Sequence, residues 1–266
     1  MADRISKALL PDNTSVSDDG MAAFGGVRVD ELVSQFGTPL FVYDEDHIRK
    51  RCREAVKAFP DGVSYASKAF LCKAIAKLVH EEGMGLDVAT MGEAYVALQA
   101  GVPSSHLTLH GNNKSMEELR YAVDNRIGKV VIDSFDEIKK LEHLYSTTKT
   151  PLKALVRVTP GVSAYTHKYI TTGEVDSKFG FTVQNGQAAK AIERAKSSDA
   201  IDLIGLHAHI GSQIFTSDSF RKSTEILVNL AEHFGLPELC VGGGLGVPYL
   251  NDESSISISE WGAIVH

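Results

Sequence analysis

Short apolar runs alternate with helix-patterned stretches along this chain, and each run carries a polar residue or a glycine at or near its C-terminal end. The runs are 63–67, 85–89, 107–110, 129–133, 153–158, 204–210 and 238–242; helical periodicity covers 71–82, 92–100, 115–125, 135–144, 186–197 and 218–234. Runs such as Lys129-Val130-Val131-Ile132-Asp133 are continuous in apolar character, as parallel strands covered on both faces require. Serial βα units build either a doubly wound sheet or a (β/α)8 barrel. The polar positions favour the barrel. Lys68, Asp87, His110, Asp133, Arg157, His209 and Gly243 all fall at or near the C-terminal ends of successive runs, and in a barrel those ends converge on one mouth.

A further strand is predicted over Pro39–Tyr43, and a helix over Asp46–Phe59 that Pro60 ends. From residue 62 onward seven strands are found, where a barrel has eight, and the chain runs on into a helix-like stretch, Ser259–Val265. The expectation is therefore an α/β barrel with seven of its eight strands, shortened at its C-terminal side. It divides into a polar lead-in over 1–25, an N-terminal segment over 26–44 and the incomplete barrel over 45–266.

Composition narrows the function classes. With 43% apolar and 23% charged residues in 266, the chain can bury a large core. A net charge of −7 argues against a general nucleic-acid binder. It leaves acidic and zwitterionic substrates open, because a local basic pocket can sit in an acidic protein. No apolar run reaches the length of a membrane span, and the polar start lacks the apolar segment of a secretory signal. Cys52, Cys72 and Cys240 are widely spaced and odd in number, which reads as reduced thiols in a cytoplasmic protein.

Several motifs carry chemistry. Lys68 follows the run Val63–Ala66 at a turn; a lysine held against apolar surroundings loses its charge easily, and its free amine can form a Schiff base with a carbonyl. A solitary lysine at such a junction is otherwise an ordinary solvated side chain. Gly242-Gly243-Gly244-Leu245-Gly246 follows a strand, and consecutive glycines let backbone N–H groups close on a phosphate. The Rossmann spacing is not met, since Val247 stands where the third glycine belongs. His207 and His209, two apart on one strand, face one side and could hold a metal or contact a cofactor, with Ser212 as a phosphate ligand. Gly111-Asn112-Asn113-Lys114-Ser115 is not a P-loop; Ser115 reads as a helix N-cap with Glu118 completing a capping box. The long loop between Arg157 and Phe181 is of a kind that is more often functional than decorative.

Taken together, the segments Tyr65-Ala66-Ser67-Lys68-Ala69, Gly85-Leu86-Asp87-Val88 with Gly92-Glu93, and His110-Gly111-Asn112-Asn113-Lys114-Ser115 resemble the alanine-racemase-like (fold type III) pyridoxal phosphate decarboxylases. Arg157-Val158-Thr159-Pro160-Gly161, Asp176-Ser177-Lys178-Phe179-Gly180, His207-Ala208-His209-Ile210-Gly211-Ser212 and the glycine run continue the match in order over about 38–250. The Gly-Asn-Asn-Lys-Ser and Asp-Ser-Lys-Phe-Gly segments point to the diaminopimelate branch. The resemblance implies that Lys68 holds pyridoxal 5'-phosphate, that His209 stacks on its ring and that Ser212, Gly243 and Gly244 cradle its phosphate. Asp87 and Arg157 would belong to the polar shell beneath it. It further implies decarboxylation of meso-diaminopimelate to L-lysine and CO2, and a homodimer in the full-length form.

The family's Glu-Pro-Gly-Arg stretch and C-terminal β-domain are not found before His266, and in the family Pro39–Tyr43 pairs into that domain. The chain alone is thus expected to bind the cofactor weakly and turn over poorly. An ornithine- or arginine-type decarboxylase, a metal-dependent hydrolase using His207 and His209, and a non-catalytic cofactor-binding barrel remain as alternatives.

Overall fold

A computed structural model describes residues 9–162, 178–250 and 253–266. Near its start, β1 (Ser15–Val16), β2 (Ala22–Phe24) and β3 (Val27–Arg28) pair antiparallel and lead into α1 (Val29–Phe36). Arg28 braces this small sheet through Asp19 and Asp30, each at 2.9 Å. None of these elements was read from the sequence: the strands are two or three residues long, and α1, although Val29, Leu32, Val33 and Phe36 recur at helical spacing, keeps most of its residues exposed.

The larger unit opens with α2 (Glu45–Ala58), whose N-cap Asp44 accepts the amide of His47. Then follow β4 (Ser64–Ala66), α3 (Lys73–Glu81), β5 (Gly85–Val88), α4 (Met91–Gln99), β6 (Leu107–Leu109), α5 (Met116–Asp124), β7 (Lys129–Ile132) and α6 (Phe135–Thr148). The series ends with β8 (Leu152–Thr159), β9 (Phe181–Thr182), α7 (Gln187–Lys196), β10 (Ile201–His207), α8 (Ser217–Phe234), β11 (Glu238–Cys240) and α9 (Ile258–Val265). The seven predicted strands all form, within a few residues of their expected ends, and the capping box of Ser115 and Glu118 is present. Pro39–Tyr43 is not a strand. It has no pairing partner among the described residues, and Phe41 is 88% exposed, so its apolar residues find no sheet edge to join.

The strands lie side by side in the order β4-β5-β6-β7-β8-β10-β11, every pair parallel, with β9 extending the end of β8. Alternation places Leu86 and Val88 under the helices, fully buried, and Asp87 on the opposite face. Two observations show that the sheet is curled. His110, just past β6, meets His207 of β10 with ring centroids 5.0 Å apart, although two strands separate theirs in the sheet. The helix layer also returns to its beginning, because α9 packs on both α8 and α2. Trp261 lies against Phe59 and Phe220, and a side chain at Gly262 would press on the Ala58 carbonyl at 2.7 Å. β4 and β11 are not paired with each other among the described residues. The architecture is the seven-stranded arc of an α/β barrel. Among the described residues no helix is long and apolar enough to cross a membrane.

Candidate active site

All the polar strand-end residues gather at the C-terminal edge of the arc. β4 stops at Ala66, and Ser67–Ala69 form one 3-10 turn that carries Lys68. The turn is pinned from behind. Tyr65 Oη donates to the carbonyl of Phe70 at 2.7 Å, and the Phe70 ring stacks on Tyr43 at 4.6 Å and 9°. Lys68 itself is exposed. The expected lysine packed against apolar surroundings is therefore not what this chain provides.

Behind it, Arg157, His207 and Cys240 sit in register on β8, β10 and β11. His207 is 4% exposed, and burial, with His110 and Arg157 adding to it, holds its pKa well below the ordinary value. His209 is lowered to about 4, first by burial and then by the positive charges of Arg157 and Lys68. Both imidazoles are thus neutral near pH 7, suited to stacking and not to carrying charge. Asp87 Oδ1 stands 3.3 Å from Nε2 of His110 without hydrogen-bond alignment, and Nδ1 of His207 is buried with no hydrogen bond among the described residues. Burial pushes the Cys240 thiol up to about 12, so it is no nucleophile. Among the described residues no group of three or more His, Cys, Asp or Glu could hold a metal ion, which leaves the His207–His209 metal alternative unsupported.

Arg157 is fixed by three contacts. Its Nη1 lies 3.4 Å from Asp133 Oδ1, its guanidinium covers the Phe179 ring at 4.4 Å, and its backbone lies against Gly180. Gly180 has φ +69°, and a side chain there would collide with the Arg157 carbonyl at 2.8 Å; its amide donates to Asp133 Oδ2 at 3.0 Å. Thr159 Oγ1 bonds the Phe179 carbonyl at 2.6 Å. These contacts hold the described ends of the long loop. Residues 163–177, with Asp176 and Ser177 of the Asp-Ser-Lys-Phe-Gly segment, lie outside the described residues.

The glycine run is built for close approach. The amide of Ile214 donates to the carbonyl of Gly244 and that of Gly246 to Ile214, both at 2.9 Å, so the turn bearing Ser212 runs beside the glycines. Gly242 and Gly244 have φ of +73° and +107°, and added side chains would strike the carbonyls of Ala208 and Gly211. Gly243 differs: a Cβ there meets nothing within 4 Å. The neighbouring glycines are needed by the fold, whereas Gly243 leaves a bare ledge. Ser212 is exposed beside it. A phosphate-bearing cofactor fits such a ledge, with neutral imidazoles and an amine close by.

Sequence reasoning missed one part of this centre. Lys114 and Glu137 are buried, with side chains 1% and 2% exposed and 2.7 Å between Nζ and Oε1. The signal was present in part: Ser134 and Glu137 have capping-box spacing. Yet the carboxylate reaches one residue further back, to the amide of Asp133 at 3.2 Å.

An arc of parallel strands that brings an amine, two neutral imidazoles and a glycine ledge to its C-terminal edge defines a barrel that binds a phosphorylated cofactor. Residues 45–265 match the family of the pyridoxal-dependent decarboxylases, pyridoxal-binding domain. The chain belongs to that family, and its cofactor is pyridoxal 5'-phosphate. It is 42% identical over 265 residues to the diaminopimelate decarboxylase of Mycobacterium bovis, covering 95% of this chain and 59% of that protein. Against the diaminopimelate decarboxylase of Bacillus subtilis the identity is 44% over 253 residues, 91% of this chain and 58% of the other. The crystal structure of diaminopimelate decarboxylase from M. jannaschii in complex with L-lysine superposes with a TM-score of 0.89 at 30% identity, covering 96% of this chain and 62% of that one. The chain thus spans about three fifths of the length of the relatives it matches.

Proposed function

We propose that this chain is the cofactor-binding part of an enzyme that decarboxylates meso-diaminopimelate to L-lysine and CO2. The observation that carries the reading is the meeting of Lys68, His209, Arg157 and the Gly243 ledge at one edge of the arc, in a chain about 42% identical to diaminopimelate decarboxylases over nearly its whole length. When bound, the cofactor supplies the electron sink for the pair left behind as CO2 departs.

The chain's own residues hold and orient it. Lys68, exposed on its pinned turn, would hold the cofactor through its amine, which can bond a carbonyl carbon. His209, kept neutral, would contact the cofactor's ring. Ser212 with Gly243 and Gly244 cradles the phosphate through hydroxyl and backbone N–H groups. Asp87 and Arg157 would supply polar groups to the cofactor's pocket. In domain terms, 1–25 is a lead-in, 26–44 an N-terminal segment that would pair with a β-domain, and 45–266 the cofactor-binding barrel.

The partner is a small amino acid, and the complete protein is read as a homodimer. The three cysteines are all unpaired, which supports a reducing, cytoplasmic setting. Borohydride reduction of the chain mixed with pyridoxal phosphate, followed by peptide mapping, tests the reading. A phosphopyridoxyl group on Lys68, reduced by substitution of His209, is the expected result; labelling scattered over surface lysines would overturn it. Competition between diaminopimelate and ornithine or arginine, assayed on a chain carrying the remaining two fifths of its relatives' length, separates the neighbouring decarboxylases.

A further inference from the structure

The motif Gly111-Asn112-Asn113-Lys114-Ser115 has a buried lysine that the reading above does not use. Lys114 Nζ donates to the carbonyls of Gly111 at 2.7 Å and Val131 at 2.6 Å, and pairs with Glu137 Oε1 at 2.7 Å. The first two are hydrogen bonds, whereas the contact with Glu137 Oε1 is an ion pair that makes no hydrogen bond among the described residues. One side chain thereby ties the loop after β6 to β7 and to α6. The other oxygen of Glu137 accepts the amide of Asp133. Asp133 in turn faces Arg157 with Oδ1 and holds Gly180 with Oδ2.

Turning a strand into a helix does not by itself require this. At the junction of β5 and α4 the same turn is made with Thr90 as N-cap and Glu93 reaching back to the amide of Ala89 at 2.6 Å. Glu93 is only half-buried, so its charge keeps part of its hydration. At the junction of β7 and α6 the equivalent carboxylate is sealed from water and given a buried lysine. Burying both charges is costly, and apolar residues of similar volume fill such a layer at least as well. What an apolar pair cannot supply is a fixed acceptor on the amide of Asp133, the residue that aims Arg157.

We propose that Lys114 and Glu137 are positioning residues for the cofactor pocket: they lock Asp133, which holds Arg157 in place beside His209. The proposal rests on the reading of the pocket given above. Neither residue touches the cofactor; both act through Asp133. Burial raises the pKa of Glu137 and Lys114 opposes that rise, while Glu137 fixes the strand end.

Two double variants test this. In Lys114→Met/Glu137→Met the charges and the acceptor are gone; in Lys114→Met/Glu137→Gln the charges are gone but a carbonyl acceptor for Asp133 returns. The Met/Met chain is expected to fold, to bind pyridoxal phosphate about tenfold more weakly, and to show the NMR titration of His209 moved upward as Arg157 loosens. The Met/Gln chain is expected to recover most of both. Parent-like affinity and an unmoved His209 in the Met/Met chain would overturn the proposal, as would equal defects in the two variants. If the parent chain takes up no cofactor, the reading of the pocket fails, while the His209 titration of the cofactor-free chain still decides the role of the pair. Should the Met/Met chain not fold, amide exchange in the unaltered chain decides: Asp133 should exchange as slowly as the core strands, and exchange at loop rates refutes the anchoring.

Discussion

The rings of His110 and His207 meet edge to face, centroids 5.0 Å apart and planes at 72°, across the hollow of the arc. Their strands are not neighbours, so the contact reports curvature directly. It also sets His110 against His207, whose imidazole burial keeps neutral. The pocket's character follows: protonation within it is opposed by burial and by the nearby charges of Arg157 and Lys68.

That opposition has a pH signature. His209 has its folded pKa depressed to about 4, from about 6.5 in an unfolded chain. The unfolded state therefore binds more protons between those values. The stabilisation from keeping His209 neutral is complete above about pH 6.5 and is lost as pH falls through about 4. The shift corresponds to roughly 3 kcal/mol at most. Urea midpoints at pH 7, 5.5 and 4 should fall more steeply for the parent than for His209→Asn; parallel curves would refute the depressed pKa.

Lys68→Ala should leave the fold intact, because the side chain is exposed. A stability change within about 0.5 kcal/mol is expected, together with complete loss of borohydride-trapped cofactor. Mass spectrometry and thermal melting measure the two effects separately.

Gly243→Ala and Gly244→Ala should behave oppositely. The first places a methyl in open space, so melting is preserved while cofactor affinity falls. The second meets φ +107° and the Gly211 carbonyl, and should cost about 2–5 kcal/mol. Similar melting temperatures for the two variants would contradict the different reasons given for these glycines.

Tyr65→Phe removes the hydroxyl that holds the Phe70 carbonyl at 2.7 Å. A loss of about 1 kcal/mol is expected, with slower trapping of cofactor on Lys68 as its turn loosens. Unchanged trapping kinetics would show that the Tyr43–Phe70 stack suffices.

Much of this was legible in the residues. Parallel strands buried on both faces are written as apolar runs, and a polar residue at or near the end of a run is the one that reaches the mouth. Asp87, His110, Asp133, Arg157 and His209 could therefore be picked out as a group. Burial of charge was not legible. Lys114 and Glu137 look like surface residues in the sequence, because what encloses them comes from β7, α6 and the loop after β6 together. Lys68 erred the other way: its flanking apolar residues suggested enclosure, yet the 3-10 turn faces it outward. Pro39–Tyr43 has the composition of a strand, but a strand also needs a neighbour, and among the described residues it has none.

The contact between α9 and α2 bears on how the chain acquires its shape. Ser259 reaches Glu54 at 3.5 Å across 205 positions of sequence, whereas each strand from β4 to β8 pairs with the next one in the chain. Adjacent βα units can form early and locally, but the ring of helices shuts only when the last of them meets the first. Such long-range closure comes late, because the entropy of a long loop is lost before its contacts are gained. On a ribosome, the face of α2 that α9 covers must wait exposed while some two hundred residues are made, a stage at which a partly built parallel sheet is open to wrong partners.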